Sequence, residues 1–210
     1  MSRLLLARHG NTFGPGDKVV WVGAQEDLPL VASGEAQATA LGEALRDSGV
    51  KLARLICGPL LRTRRAAEIV ATITGFGGTI EIDDRLREID YGSWGGRSNE
   101  EIEQEFGADA LAEWDQHHRR PKGVDWSPEE SVIRANALAA MADAIMEDRP
   151  TLLITSNGVL RYIYGALEGE PASAKVKTGN VCAVRLNGDR GQRLFWNEKP
   201  NADLIAQALS

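Results

Sequence analysis

Apolar positions along the chain follow two alternating rhythms. Leu4-Leu5-Leu6-Ala7 is a short unbroken apolar run of the kind found in strands buried on both faces, and Leu52 to Cys57 and Thr151 to Thr155 share that character. Thr79 to Ile82 predicts a shorter strand. Between these runs apolar residues recur at helical spacing: Ala36, Ala40, Leu41, Ala44 and Leu45; then Leu61, Ala66, Ile69, Val70 and Ile73; then Val132, Ile133, Leu138, Met141, Ala142 and Ile145. The punctuation agrees. Ser33 is placed to N-cap the first helix and Gly49 to close it, while Pro59 opens the second and Gly75 ends it. Ser127 and Glu130 have capping-box spacing with Pro128 at the first helical position, and Pro150 stops the third helix. Val159 to Leu167 reads as one more helix. Val181 to Leu186 and Arg193 to Trp196 flank Asn187-Gly188, which predicts an antiparallel hairpin.

From about 95 to 126 the pattern changes to polar and charged, with sparse apolar Ile102, Phe106, Leu111 and Trp114. This stretch reads as a small helical cap over one end of the core. Strands alternating with helices predict an α/β fold: a three-layer sandwich, a mostly parallel sheet with helices on both faces. No repeat of 20–50 residues interrupts it. A chain of 210 residues suits one domain, 1–210, on a prior of ~150 residues per domain.

Charge narrows the functions. Lys and Arg number 24 against 30 Asp and Glu, a net −6, which disfavours sequence-independent nucleic-acid binding. No apolar run approaches the ~20 residues of a membrane span, and the start lacks a signal-peptide pattern, so the expected compartment is the cytoplasm. Cys57 and Cys182 lie in apolar runs and read as buried thiols.

In open α/β sheets ligands bind at the carboxyl ends of strands. Four loops qualify: Arg8-His9-Gly10-Asn11-Thr12, the stretch from Gly58 to Arg62, the stretch from Leu86 to Gly92, and Ser156-Asn157-Gly158. Singly, each reads as an ordinary strand terminus. Together they describe a phosphate pocket. Guanidinium forks such as Arg8 and Arg62 match phosphate oxygens and stay charged. A histidine among them can attack phosphorus, splitting the displacement into two steps. A carboxylic acid such as Glu88 can protonate the leaving oxygen and later activate water.

These residues also carry a resemblance. Arg8-His9-Gly10-Asn11-Thr12 resembles the R-H-G-x-T signature of the histidine phosphatase superfamily, the phosphoglycerate mutase-like family. Asp27 to Gly42, Pro59-Leu60 with Arg62, Leu86 to Gly96, Glu130-Ser131, Thr155 to Arg161 and Trp196-Asn197 with Pro200 are similar to further elements in family order. The resemblance implies the family's fold, His9 as the phosphorylated nucleophile, Arg8 and Arg62 as phosphate ligands, and Glu88 as acid/base. The Gly158 amide joins the phosphate ligands. Neither metal nor organic cofactor is implied. Asn157 stands where the family has a second histidine, replacing a cationic donor with an amide that cannot carry charge. Gly58, Asn11 and Val31 are smaller departures, at positions where the family has serine, Glu or Gln, and threonine.

The remaining motifs are weaker. Gly14 to Lys18 lacks the second half of a P-loop, and Gly75 to Gly78 reads as a turn. His117 and His118 are adjacent and face apart on a helix, so a metal pair is not expected. With Arg119, Arg120 and Lys122 they form a basic patch, either a solvated face or a device that attracts phosphorylated substrates. Trp94, Trp114 and Trp126 read as packing. The leading expectation is a phosphomonoester hydrolase acting through His9 on a small phosphorylated substrate, with activity reduced by Asn157. The alternatives are a catalytically silent phosphate-ligand binder and a phosphoglycerate-type mutase, each as monomer or homodimer.

Overall fold

The computed structural model describes residues 2–145, 149–168, 173–187 and 190–209. Strand β1 (Ser2–Arg8) leads through helix α1 (Ala32–Asp47) to β2 (Arg54–Cys57), and α2 (Leu61–Thr74) leads to β3 (Ile80–Ile82). Two short 3-10 turns, Asp84–Leu86 and Gly92–Trp94, precede the cap helices α3 (Asn99–Phe106) and α4 (Ala108–Asp115). The chain re-enters the core through α5 (Glu130–Asp143), β4 (Thr151–Thr155) and α6 (Asn157–Tyr164), then closes with β5 (Val181–Asn187), β6 (Arg190–Glu198) and α7 (Ala202–Leu209).

The six strands order as β3-β2-β4-β1-β5-β6. The first four run parallel, while β5 pairs antiparallel with both β1 and β6. The expected three-layer α/β architecture is therefore present. Side-chain alternation explains why Leu4 to Ala7 of β1 are all apolar. Leu4 and Leu6 face one core layer with β4 Leu153 and α6 Val159, Leu160 and Ile163, whereas Leu5 and Ala7 face another with α1, α2 and α7. Cys57 and Cys182 are buried free thiols, and burial pushes both up to about 12.

Several boundaries differ from the sequence reading. Ser33 does not cap α1, because the helix starts at Ala32 after Val31, and the Ser33 hydroxyl instead accepts from Asn11 Nδ2 at 3.2 Å. Ser127 does not cap α5. Its backbone N–H and C=O both pair with Asp90, at 2.9 Å each, so the helix begins only at Glu130 with no side-chain cap. The complete capping box lies instead at Ser98 and Glu101, opening α3. Helix α6 starts at Asn157, two residues earlier than predicted, and ends at Tyr164. The β5–β6 pair forms as expected, although the Gly188 turn lies outside the described residues. Helix α7, absent from the sequence expectation, buries Ile205, Ala208 and Leu209 against the α1–α2 layer.

The cap is held by aromatic packing. Trp21, Tyr91, Trp94, Trp114 and Trp126 meet edge-on at centroid separations of 4.8 to 5.1 Å along the chain of contacts Trp114–Trp126–Tyr91–Trp21–Trp94. Buried Arg161 of α6 clamps the cap from below: it donates to the Trp114 carbonyl, pairs with Asp115 at 3.0 Å and lies over the Trp114 ring at 4.8 Å. The cap is thereby fixed over the carboxyl ends of β1 and β4.

Candidate active site

A cavity of about 650 Å³ opens beneath the cap, and Arg8, His9, Arg62, Glu88 and Asn157 all line it. The sheet order explains the convergence. β1 and β4 are neighbours with Arg8 in register with Thr155, so the loops that follow them emerge side by side. The loop after β1 then presses against α1 so closely that a Cβ on Gly10 would lie 2.2 Å from the Gly34 carbonyl oxygen. Glycine at both positions is what allows His9 to sit this near the helix start.

His9 is buried, with 6% of its surface exposed. Its Nδ1 lies 2.7 Å from the Gly10 carbonyl oxygen, which only accepts, so Nδ1 carries the proton and Nε2 is the ring nitrogen left with a lone pair. Burial, with Arg8 and Arg62 alongside, holds the imidazole well below its usual range and therefore neutral near pH 7. A neutral ring with a free Nε2 is the form that can act as a nucleophile.

The two arginines are pre-positioned by backbone carbonyls. Arg62, 2% exposed, donates to Gly23 O at 2.6 Å and Glu26 O at 3.2 Å. Arg8 donates through Nη1 to Val176 O at 2.6 Å. Burial lowers both guanidinium groups from their ordinary value while Glu88 opposes the shift, so a charged pair is kept in a desolvated place where an anion gains most.

Glu88 is fixed at both carboxyl oxygens. Oε1 accepts from the Ile89 amide at 3.0 Å, and Oε2 accepts from the Gly158 amide at 3.2 Å. The Gly158 amide, expected among the phosphate ligands, thus donates to Glu88. Its N–H is at the open N-terminal turn of α6, and a carboxyl oxygen of Glu88 accepts it. Asn157, the first residue of α6, accepts from the Val176 amide through Oδ1 at 2.9 Å, which fixes the amide orientation and leaves Nδ2 as its remaining donor.

The basic cap patch does not contribute to the cavity wall. Arg119 is held bidentately by Glu113 at 2.8 and 2.9 Å, and Arg120 donates to Pro128 O at 3.0 Å and lies over Trp126. His118 accepts from the Ala174 amide through Nε2 at 3.1 Å. Arg119, Arg120 and His118 are thereby tied to neighbouring groups, and none of them lines the cavity. Among the described residues, no cluster of three or more His, Cys, Asp or Glu could hold a metal ion, and no helix is long and apolar enough to cross a membrane. Trp94 and Trp126 pack as expected, whereas Trp114 also faces the cavity.

Sequence reasoning overlooked the stretch from Ala174 to Asn180. Val176 braces Arg8 with its carbonyl and Asn157 with its amide, and Gly179 N–H reaches the His9 carbonyl at 3.1 Å. Only the Thr178-Gly179-Asn180 turn signal hinted at a built loop there.

The model of the histidine phosphatase superfamily (branch 1) matches residues 4–199. The chain belongs to that superfamily. A relative from Salmonella arizonae, named probable phosphoglycerate mutase GpmB, is 33% identical over 199 residues, covering 92% of this chain and 88% of the relative. One of the same name from Erwinia tasmaniensis is 33% identical over 178 residues, 83% and 79% of the two chains. Among solved structures, a mycobacterial glucosyl-3-phosphoglycerate phosphatase superposes with a TM-score of 0.76 at 23% identity, covering 95% of this chain and 100% of that one. Bacillus stearothermophilus YhfR gives 0.72 at 26% identity, covering 93% and 96%. The superfamily member described here thus has the phosphoglycerate mutase-like fold.

Proposed function

We propose that this superfamily member is a phosphomonoester hydrolase working through a phosphohistidine on His9. The observation that carries the reading is the His9 ring: Nδ1 tied to the Gly10 carbonyl, Nε2 free, and a buried arginine pair beside it. In the first step Nε2 attacks phosphorus, the bond to the alcohol oxygen breaks, and Glu88, entering as the acid, gives its proton to that oxygen. In the second step water attacks the phosphohistidine, passes a proton to Glu88, and the P–N bond breaks to release phosphate and neutral His9. Arg8 and Arg62 neutralise the phosphoryl oxygens throughout, so the charge stabilisation comes from side chains of this chain and calls on no metal. Gly158 takes part by orienting Glu88.

Hydrolysis and phosphoryl transfer to a second hydroxyl share this first step, and names of both kinds occur among the similar proteins: mutase for the Salmonella relative, phosphatase for the mycobacterial structure. Asn157 favours a slower enzyme, and in the limit a phosphate binder, because a charge is missing where the phosphoryl group is transferred. The deciding experiment is rapid quench in alkali after mixing with para-nitrophenyl phosphate, followed by phosphorus NMR for phosphohistidine. The expected result is a phosphohistidine signal and turnover in the native protein, and neither in His9→Ala. Turnover that survives His9→Ala overturns the mechanism. Inertness of the native protein toward phosphomonoesters, with inorganic phosphate still bound, leaves the binder.

A further inference from the structure

The cavity is far larger than one phosphoryl group, and its outer half has a definite chemistry. Phe13, Val19, Val20, Trp21 and Val22 of the segment after β1 form one wall. That wall is fixed to the cap: Trp21 N–H donates to Arg97 O at 2.9 Å, its carbonyl accepts from the Gly96 amide at 2.8 Å, and its indole N–H donates to Asn99 Oδ1 at 2.8 Å. Val19 nonetheless stands 66% exposed, an apolar side chain at the cavity mouth with nothing over it. Burying a residue of this kind against an apolar ligand is favourable.

The charges of the outer half point the same way. Beyond Arg8 and Arg62, the cations lining the cavity are Lys18 and Lys175. Lys18 pairs with Glu101 at 2.6 Å, and Lys175 pairs at 3.0 Å with Asp115, the carboxylate that Arg161 also holds, so both lysines already have an anionic partner. Glu100, on the first turn of α3, adds a further carboxylate to the wall, and the Ser98 hydroxyl favours its ionised form. A second anionic group on a substrate would therefore meet committed lysines and a negative neighbour, where like charges discriminate against a ligand.

We infer that the outer half selects phosphomonoesters whose alcohol is uncharged and carries an apolar face, and that it rejects esters bearing a carboxylate. The inference rests on the hydrolase reading above and names its substrate class.

Three esters test it. Glycerol 3-phosphate and 3-phosphoglycerate share a carbon frame and differ by the carboxylate; benzyl phosphate adds an apolar face while keeping an alkoxide leaving group. Expected kcat/KM falls from benzyl phosphate to glycerol 3-phosphate to 3-phosphoglycerate, with at least about tenfold between the ends. Val19→Asp should shrink the preference for benzyl phosphate, and Glu100→Lys should narrow the gap against 3-phosphoglycerate. Equal or better use of 3-phosphoglycerate than of glycerol 3-phosphate overturns the inference, as does a benzyl preference indifferent to Val19→Asp. If no ester is turned over, the hydrolase reading fails by itself. Calorimetric affinities of the same three esters must then keep this order, and an equal or reversed order overturns the inference independently.

Discussion

The amide of Gly158 points at the Glu88 carboxylate, 3.2 Å from Oε2, so the candidate acid/base caps the helix that carries Asn157. The same closeness leaves no room for a side chain. A Cβ at residue 158 would lie 2.3 Å from Glu88 Oε1, 2.7 Å from Ile89 Cδ1 and 3.0 Å from the Tyr91 hydroxyl.

Gly158→Ala should therefore displace Glu88 while leaving Arg8 and Arg62 in place. The expected outcome is a fall in kcat of about 10²-fold or more, the usual contribution of a positioned general acid. Phosphate affinity should change little. Because protonation of the leaving oxygen is what suffers, the loss should be smaller for para-nitrophenyl phosphate than for an alkyl ester. Steady-state kinetics on the two esters, with calorimetry of phosphate binding, checks this. An equal loss on both esters would count against Glu88 as the acid.

Asn157→His should raise kcat by about one to three orders of magnitude, the range for one restored charge-stabilising donor, with KM nearly constant. Asn157 Oδ1 now accepts from the Val176 amide at 2.9 Å, a bond that an imidazolium, with two N–H donors and no acceptor, gives up when it turns its charge to the cavity. A histidine variant no faster than the native protein would show that the Asn157 amide already suffices.

Acid should destabilise the fold through His9. Its folded-state value lies well below its ordinary one, chiefly from burial and then from Arg8 and Arg62, so the unfolded chain takes up a proton at higher pH than the native protein. The stability associated with neutral His9 is complete above about pH 6.5 and is lost as pH falls below it. Native thermal midpoints should fall more steeply from pH 7 to 5 than those of His9→Asn, whose amide can keep the bond to the Gly10 carbonyl. Parallel slopes in a pH series of melting curves would refute this.

Periodicity carried the layers of this protein. Leu4 to Ala7 and Thr151 to Thr155 were legible as buried strands because a strand covered on both faces needs apolar residues at successive positions. Arg8, His9, Arg62 and Glu88 were legible as candidates because each follows a predicted strand, and strand ends are where such a sheet binds ligands. Local chemistry misled where a distant partner outbid it. Ser127 has good capping spacing, but its backbone pairs with Asp90, and the Gly158 amide donates to the Glu88 carboxyl. Arg119 and Arg120 form a basic run in sequence, yet Glu113 and Pro128 hold them to the cap. The brace through Val176 and the pairing of Lys18 with Glu101 join residues more than eighty positions apart or across separate elements. The sequence by itself determined which residues could be apolar layers and which could do chemistry at strand ends. Only the tertiary structure decided which donors and charges are already spent on one another, because hydrogen bonds and ion pairs depend on distance in space, and no spacing along the chain encodes it.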